Sequence, residues 1–157
     1  MQKVEQVKNP SNAIWGPALW MILHNSCEQI GSQQLKKLPQ EESRIWLGLL
    51  QSLRYSLPCP QCKKHYTAFL NQSPIRSVKD IRRWLFTLHN QVNQRLGKAS
   101  YLEEELEIYK GPFYFTGCYQ IVHEHMMMAV RQGVCSHADI QRTVRFLIEM
   151  KCFYDMD

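Results

Sequence analysis

Two cysteines separated by two residues, Cys59 and Cys62, are the side chains of this sequence best suited to chemistry. At this spacing both sulfurs can meet across the first turn of a helix, and Pro60 suits the first helical position, where a missing N–H costs nothing. A helix N-terminus stabilises a thiolate, which is the form of a thiol that exchanges with disulfides. The spacing predicts a redox-active dithiol in which Cys59 meets the substrate and Cys62 faces whatever the helix packs against.

The same cysteines also allow a different chemistry, the binding of a metal ion. Cys59, Cys62 and His65 would supply three zinc ligands. The candidates for a fourth ligand are Cys118, His123 and His125. Zinc sites follow recognisable ligand spacings, and this set matches none of them. A zinc-stabilised helical interaction module therefore stays open as the alternative to a redox dithiol.

Aromatic and polar side chains recur at helical spacing on both sides of the dithiol. Trp20 and His24 lie four residues apart, as do His89 and Asn93, so each pair shares one helix face. Flat rings of a ligand stack on Trp and His, while Asn and Lys supply polar contacts and charge for phosphates. Each of these residues taken alone also suits an ordinary core or surface position. As a set they predict a site for an adenine-bearing dinucleotide.

The elements that must position these residues are helices. Apolar residues recur with a helical period, and Gly and Pro interrupt the pattern. We expect helices over 12–30 and 41–57, from 59, over 77–96, from 100, and over about 116–131 and 136–151. Ser77, Ser100 and Ser136 each precede an acidic residue by three positions, which is a capping signal. No alternating strand pattern stands out, so the sequence predicts an all-α bundle of four or five core helices with a helical tail.

Composition excludes several classes of function. The chain of 157 residues is 45% hydrophobic and 21% charged, ordinary values for one soluble domain. Its net charge of +5 is spread among acidic residues rather than gathered in a basic run, which argues against nucleic-acid binding. No apolar stretch is long enough to cross a membrane, and the N-terminus has no secretory signal. We expect a cytoplasmic protein without membrane insertion, in which six cysteines favour redox or metal chemistry over structural disulfides.

Three ordered motifs carry a resemblance to a known family. They read WGPALWMILH at 15–24, CPQCKKHY at 59–66 and HNQVNQRLGK at 89–98, and two tyrosines follow in SYLEEELEIYK. Over 15–109 the chain resembles the FAD-linked sulfhydryl (thiol) oxidases of the Erv/ALR type. With no signal sequence and a tail of its own, it is similar to the versions encoded by large cytoplasmic DNA viruses.

The resemblance implies a fold, a cofactor and a reaction. The fold would be a four-helix bundle with a short fifth helix that binds FAD without a covalent bond and needs no metal. The Cys59–Cys62 disulfide would take electrons from a dithiol of a protein substrate and pass them through FAD to O2, giving H2O2. The residues implied to line the FAD are Gly16, Trp20, His24, His65, Tyr66, His89, Asn90, Asn93, Lys98, Tyr101 and Tyr109.

The sequence also departs from the family pattern. Phe86 stands in the region where many members have a cysteine for a structural disulfide, and no cysteine precedes Cys27 to form an N-terminal shuttle pair. We therefore expect substrates to reach Cys59 directly, and Cys27 to be a buried, inert thiol. We expect residues 1–110 to form the FAD-binding oxidase domain and 111–157 a helical extension packed on it. Family members commonly pair through their first two helices, and we expect a homodimer of that kind here.

Overall fold

The structure, a computed structural model, describes residues 9–157. Six α-helices build this part of the protein. They are α1 (Asn12–Cys27), α2 (Pro39–Ser56), α3 (Pro60–Gln72), α4 (Ile81–Arg95), α5 (Phe115–Arg131) and α6 (His137–Phe153). The 3-10 segments Val78–Asp80 and Glu103–Tyr109 flank α4. No strand occurs within residues 9–157. The prediction of an all-α fold with a helical C-terminal extension is confirmed.

Local signals place several helix boundaries correctly. Cys59 is the N-cap of α3 and Pro60 its first residue, as the sequence predicts. Ser136 caps α6 by accepting a hydrogen bond from the backbone N–H of Asp139 at 3.1 Å. The residues 1–8, whose composition argued against a secretory signal, lie outside the described part of the chain.

Two expected helices end or begin elsewhere. α1 ends at Cys27 rather than near residue 30, because the chain turns there and Gly31 adopts a φ of +87°. The helix expected from Ser100 is the 3-10 segment that starts at Glu103. Both backbone polar groups of Tyr101 are bonded to the Asn90 side chain, with an N···Oδ1 distance of 2.7 Å and an Nδ2···O distance of 3.1 Å. A tertiary contact therefore replaces the cap that the local sequence predicts.

The C-terminal helices share one hydrophobic core with the first four. α5 packs along α1 and α6 packs along α2. The Phe146 ring approaches α2 so closely that a Cβ on Gly48 would lie 2.3 Å from it. At the end of α6 the Tyr154 hydroxyl accepts from Trp46 Nε1 at 2.8 Å and donates to Glu42 Oε2 at 2.7 Å, and all three residues are buried. The division into 1–110 and 111–157 stays a prediction.

Candidate redox and cofactor site

The dithiol lies at the start of α3. Cys59 has an extended backbone, and its Sγ accepts a hydrogen bond from the backbone N–H of Cys62 at 3.2 Å. Both side chains are half-buried. All six cysteines of the sequence lie in the described part of the chain and are free thiols, and Cys27 is buried. The contacts and pKa shifts of Cys59 and Cys62 are therefore those of two thiols.

The two thiols differ in how readily they lose a proton. Partial burial raises the pKa of Cys59, but hydrogen bonds from the Cys62 side chain and backbone and from Asn12 outweigh it and lower that pKa below its ordinary value. The pKa of Cys62 is raised to about 12 by burial, then by the hydrogen bond and the charge of Cys59, against a smaller opposite effect of Arg95. Cys59 is therefore the more acidic thiol of the pair and loses its proton first, as its place at the helix N-terminus predicts.

Aromatic rings from distant parts of the sequence come together where α1, α4 and the segment after α4 meet. Trp20 stacks on His89 with ring centroids 4.0 Å apart and planes 5° apart. His24 stacks on Tyr109 at 4.5 Å and 17°, and Tyr101 lies 4.7 Å from His89. Thus α1, α4 and the segment that follows α4 contribute to one ring cluster. The five residues Trp20, His24, His89, Tyr101 and Tyr109 are named below as the ring cluster.

The two imidazoles of the ring cluster are uncharged at neutral pH. His24 Nε2 lies 2.9 Å from His89 Nδ1, so one of these nitrogens donates and the other accepts. Burial, then the charges of His89 and Arg82, lower the pKa of His24 to about 3. Burial and the charge of Lys98 lower the pKa of His89 to about 4. The cluster therefore offers neutral, polarisable ring faces rather than cations.

The amides of α4 hold the chain segment that returns over the ring cluster. Asn90 binds the backbone of Tyr101 as described above, and Asn93 Nδ2 donates to the carbonyl of Ala99 at 3.3 Å. The backbone N–H of Lys98 donates to the Asn93 carbonyl at 2.8 Å, after Gly97 turns with a φ of +70°. These contacts leave the Lys98 side chain exposed at the rim of the site. The two asparagines thus position Tyr101 and Lys98.

The remaining predicted residues lie in three different environments. A Cβ built on Gly16 meets no atom within 4 Å, so the face of α1 one turn before Trp20 is open. His65 is half-buried on α3, one turn beyond Cys62. Tyr66 is buried between helices, where its hydroxyl donates to the Leu50 carbonyl and its ring meets Trp84 edge-on with centroids 6.1 Å apart. No sequence pattern indicates the Tyr66 hydrogen bond, because its acceptor lies on another helix.

The chemistry of this arrangement fits a flavin dinucleotide. The ring cluster is uncharged and has a half-exposed face at Trp20, the neighbouring surface at Gly16 is open, and Lys98 brings a cation for a phosphate. Flat aromatic ligands stack on such faces, and a small number of polar groups at the rim orients them. That these residues line a bound FAD stays a prediction.

The zinc alternative requires several ligand side chains close together. Residues 9–157 contain no group of three or more His, Cys, Asp or Glu side chains placed to hold a metal ion. Cys59, Cys62 and His65 therefore do not come together as the zinc ligands that the alternative interpretation requires, and no contact in residues 9–157 supports that alternative.

Sequence analysis missed one residue that touches the dithiol. Asn12 Nδ2 lies 3.6 Å from Cys59 Sγ and 3.8 Å from Cys62 Sγ. A signal for it exists in the sequence, because Asn12, Gly16, Trp20 and His24 follow one another at intervals of four residues. Four-residue intervals place side chains along one helix face, so this face of α1 runs from the sulfurs to the ring cluster.

Comparison with known proteins shows the family to which the chain belongs. The model of the Erv1/Alr family matches residues 17–110, which is more than half of the chain. The FAD-linked sulfhydryl oxidase of African swine fever virus (isolate Pig/Kenya/KEN-50/1950) is 31% identical over 86 residues, covering 54% of this chain and 69% of the viral protein. The chain belongs to the Erv1/Alr family.

Plant proteins are also similar to this chain. The FAD-linked sulfhydryl oxidase ERV1 of Oryza sativa subsp. japonica is 29% identical over 85 residues, which are 53% of this chain and 42% of the rice protein. The protein of the same name in Arabidopsis thaliana is 28% identical over 94 residues, or 59% and 47% of the two chains. No solved structure matches the chain. Within residues 9–157, no helix combines the length and the apolar character needed to cross a bilayer.

Proposed function

We propose that this protein is an FAD-linked sulfhydryl oxidase that forms disulfide bonds in protein substrates through Cys59 and Cys62. The observation that carries the proposal is the dithiol at the N-terminus of α3, in which Cys59 is the more acidic thiol, connected by one face of α1 to the ring cluster. Membership of the Erv1/Alr family and relatives named FAD-linked sulfhydryl oxidases support it.

The dithiol would perform thiol–disulfide exchange. A substrate thiolate attacks Cys59 Sγ of the Cys59–Cys62 disulfide, forms a mixed disulfide and releases Cys62 as a thiolate. The second substrate thiol gives its proton to the Cys62 thiolate, whose pKa is raised, then attacks the substrate sulfur of the mixed disulfide and releases Cys59 as a thiolate. The substrate leaves with a disulfide, and Cys59 and Cys62 hold its two electrons. The N–H of Cys62 at Cys59 Sγ stabilises the charge that develops on Cys59.

Residues of α1, α3, α4 and the segment after α4 would hold the cofactor. When bound, FAD would accept the two electrons of the dithiol and supply their transfer to O2, which gives H2O2 and which no side chain of the site performs. The ring cluster would bind its flat rings, the open face at Gly16 would admit them, and Lys98 would meet a phosphate. His65, Tyr66, Asn90 and Asn93 complete the proposed set, with the asparagines acting through the backbone of the returning segment.

The proposal extends to the substrates, the electron acceptor, the homodimer and the location of the protein. Protein dithiols as substrates and O2 as acceptor follow from the proposed reaction. A homodimer through α1 and α2 would have to use the faces of these helices that α5 and α6 leave uncovered, since α5 packs on α1 and α6 on α2. A cytoplasmic location stays a prediction.

The experiment that tests the function is a visible absorption spectrum of the purified protein. Flavin bands that bleach with dithiothreitol without air and recover in air, with H2O2 formed, are the expected result. Cys62→Ala should keep the bands and lose the bleaching, whereas Cys152→Ala, which alters an exposed thiol at the far end of α6, should behave like the wild type. A colourless protein that binds no added FAD would refute the proposal.

A further inference from the structure

Asn12 opens α1 with its side chain against both sulfurs of the dithiol. Its Nδ2 lies 3.6 Å from Cys59 Sγ and 3.8 Å from Cys62 Sγ, while its Oδ1 accepts from Trp15 Nε1 at 2.9 Å. An indole N–H can only donate a hydrogen bond, so it fixes the amide oxygen toward Trp15 and turns the NH2 group toward the sulfurs. Trp15 is only 6% exposed, so this support is itself held by the core.

The position of Asn12 on α1 links the dithiol to the proposed cofactor site. Asn12, Gly16, Trp20 and His24 succeed one another at four-residue intervals, so one rigid helix face begins at the sulfurs and ends in the ring cluster. The family match starts at residue 17, so Asn12 lies outside it. The contact thus joins a residue outside the matched range to Cys59 and Cys62, which lie within it.

We propose that Asn12 is a further residue of the exchange site, whose two amide N–H groups hold the sulfurs of Cys59 and Cys62 in place and stabilise the one that carries negative charge. The role in turnover rests on the function proposed above, but the contact with the sulfurs does not. The charge passes from one sulfur to the other during exchange, first to Cys62 as the leaving group and later to Cys59. An amide with two N–H groups facing two sulfurs can serve both stages, because it donates hydrogen bonds without gaining or losing a proton.

A purely structural role for Asn12 predicts something different. If Asn12 served only to begin α1, its bond to Trp15 would matter and the charge at the amide nitrogen would not. Replacement by aspartate separates the two roles. One aspartate oxygen can still accept from Trp15, while the other would face the thiolate with a like charge and an acceptor in place of a donor. Electrostatic stabilisation predicts that Asn12→Asp is worse than Asn12→Ala, and a structural role predicts that it is milder.

The test is the pH profile of alkylation of the fully reduced protein by iodoacetamide, with the modified residue mapped by mass spectrometry. In Asn12→Ala the profile of Cys59 should move to higher pH by about half a unit to one unit, the size expected for the loss of one hydrogen bond of ordinary strength. Asn12→Asp should move it further in the same direction. Asn71→Ala, an exposed asparagine on α3, is the matched control and should leave the profile unchanged. The exposed Cys152 serves as the internal standard in every variant.

The outcomes separate this inference from the proposed function. Profiles of Asn12→Ala and Asn12→Asp that superimpose on the wild type, or an aspartate shift no larger than the alanine shift, would overturn the role of Asn12. The expected order of shifts would uphold it even if the protein bound no flavin, because alkylation of the dithiol needs neither flavin nor turnover. Far-UV circular dichroism and the melting temperature of each variant show that the compared proteins are folded.

Discussion

Tyr154 joins the end of α6 to α2 through a buried hydrogen-bond chain, and its replacement by phenylalanine should destabilise the whole protein. The hydroxyl accepts from Trp46 Nε1 at 2.8 Å and donates to Glu42 Oε2 at 2.7 Å. Trp46 is 0% exposed, so in Tyr154→Phe its N–H would lose its partner where no water can replace it. Glu42 Oε2 keeps a weaker bond from the Gly31 N–H at 3.3 Å.

The size of the effect follows from these contacts. Leaving a buried donor or acceptor without a partner costs about 1–3 kcal/mol, and here the donor is fully deprived while the carboxylate is partly compensated. The phenyl ring still fills the same space, so no cavity cost is added. We therefore expect Tyr154→Phe to lower the free energy of unfolding by about 2–3 kcal/mol.

Urea denaturation followed by far-UV circular dichroism and by tryptophan fluorescence measures this loss. Tyr114→Phe, which changes a tyrosine that is 63% exposed, is the matched control and should stay within about 0.5 kcal/mol of the wild type. Both probes should report one transition, because α5 and α6 share a core with α1 and α2. A Tyr154→Phe variant as stable as the control, or a shift confined to a separate early transition, would refute the argument that the extension is integral to the fold.

Three further predictions concern the site. In the reduced protein at pH 8, iodoacetamide should modify Cys59 at least about tenfold faster than Cys62, whose pKa is raised to about 12. Mass-spectrometric mapping of the singly alkylated protein measures the ratio. Equal labelling of the two cysteines would contradict the conclusion that Cys59 is the more acidic thiol. The low pKa values of His24 and His89, about 3 and about 4, mean that the unfolded chain binds more protons below pH 6.5, so stability should be complete above that pH and fall as the pH drops toward 4. By pH 5 the loss should reach at most about 2 kcal/mol for each histidine, and equal urea midpoints at pH 5 and pH 8 would contradict it. Gly16→Leu should fold at least as stably as the wild type, because a Cβ there meets no atom within 4 Å, yet its ratio of bound flavin to protein should fall about tenfold or more. Ala13→Leu, at an exposed neighbouring position, is the control. Full flavin occupancy in Gly16→Leu would show that flavin binding does not use this face of α1.

The fold was predictable where a local signal faced no tertiary competitor. The Cys59–Pro60 start of α3 and the Ser136 cap of α6 are such cases. Ser100 carries the same capping signal, but the backbone that would begin its helix is taken by Asn90, a residue of another element. Likewise Ile30 continues the apolar period of α1, yet it packs on the core from the turn after the helix. The apolar period therefore indicates that Ile30 packs on the core, and it does not indicate that the backbone there is helical.

The site was predictable in its parts, and its connections were not. Four-residue spacing indicates that Trp20 and His24 share a helix face, but it cannot show that His24 bonds His89, 65 residues away. Spacing also cannot show that the side-chain amides of Asn90 and Asn93 donate hydrogen bonds to the backbone after α4, since these bonds depend on the turn at Gly97. Asn12 was missed because it precedes the motif residues, although it continues their spacing.

The C-terminal extension also contacts the chain on both sides of Cys59, at Leu57 and at Lys63. The part of the chain outside the family match therefore helps to position the dithiol. The Leu57 carbonyl accepts from the Cys59 N–H at 2.9 Å and from Cys135 Sγ at 3.4 Å, and Cys135 lies in the turn between α5 and α6. Lys63 of α3 donates to the Val134 carbonyl in the same turn. The backbone that places Cys59 is therefore held from one side by its own helix and from the other by the extension. Because the extension also completes the core over α1 and α2, the position of the reactive sulfur depends on the packing of residues that the family motifs do not include.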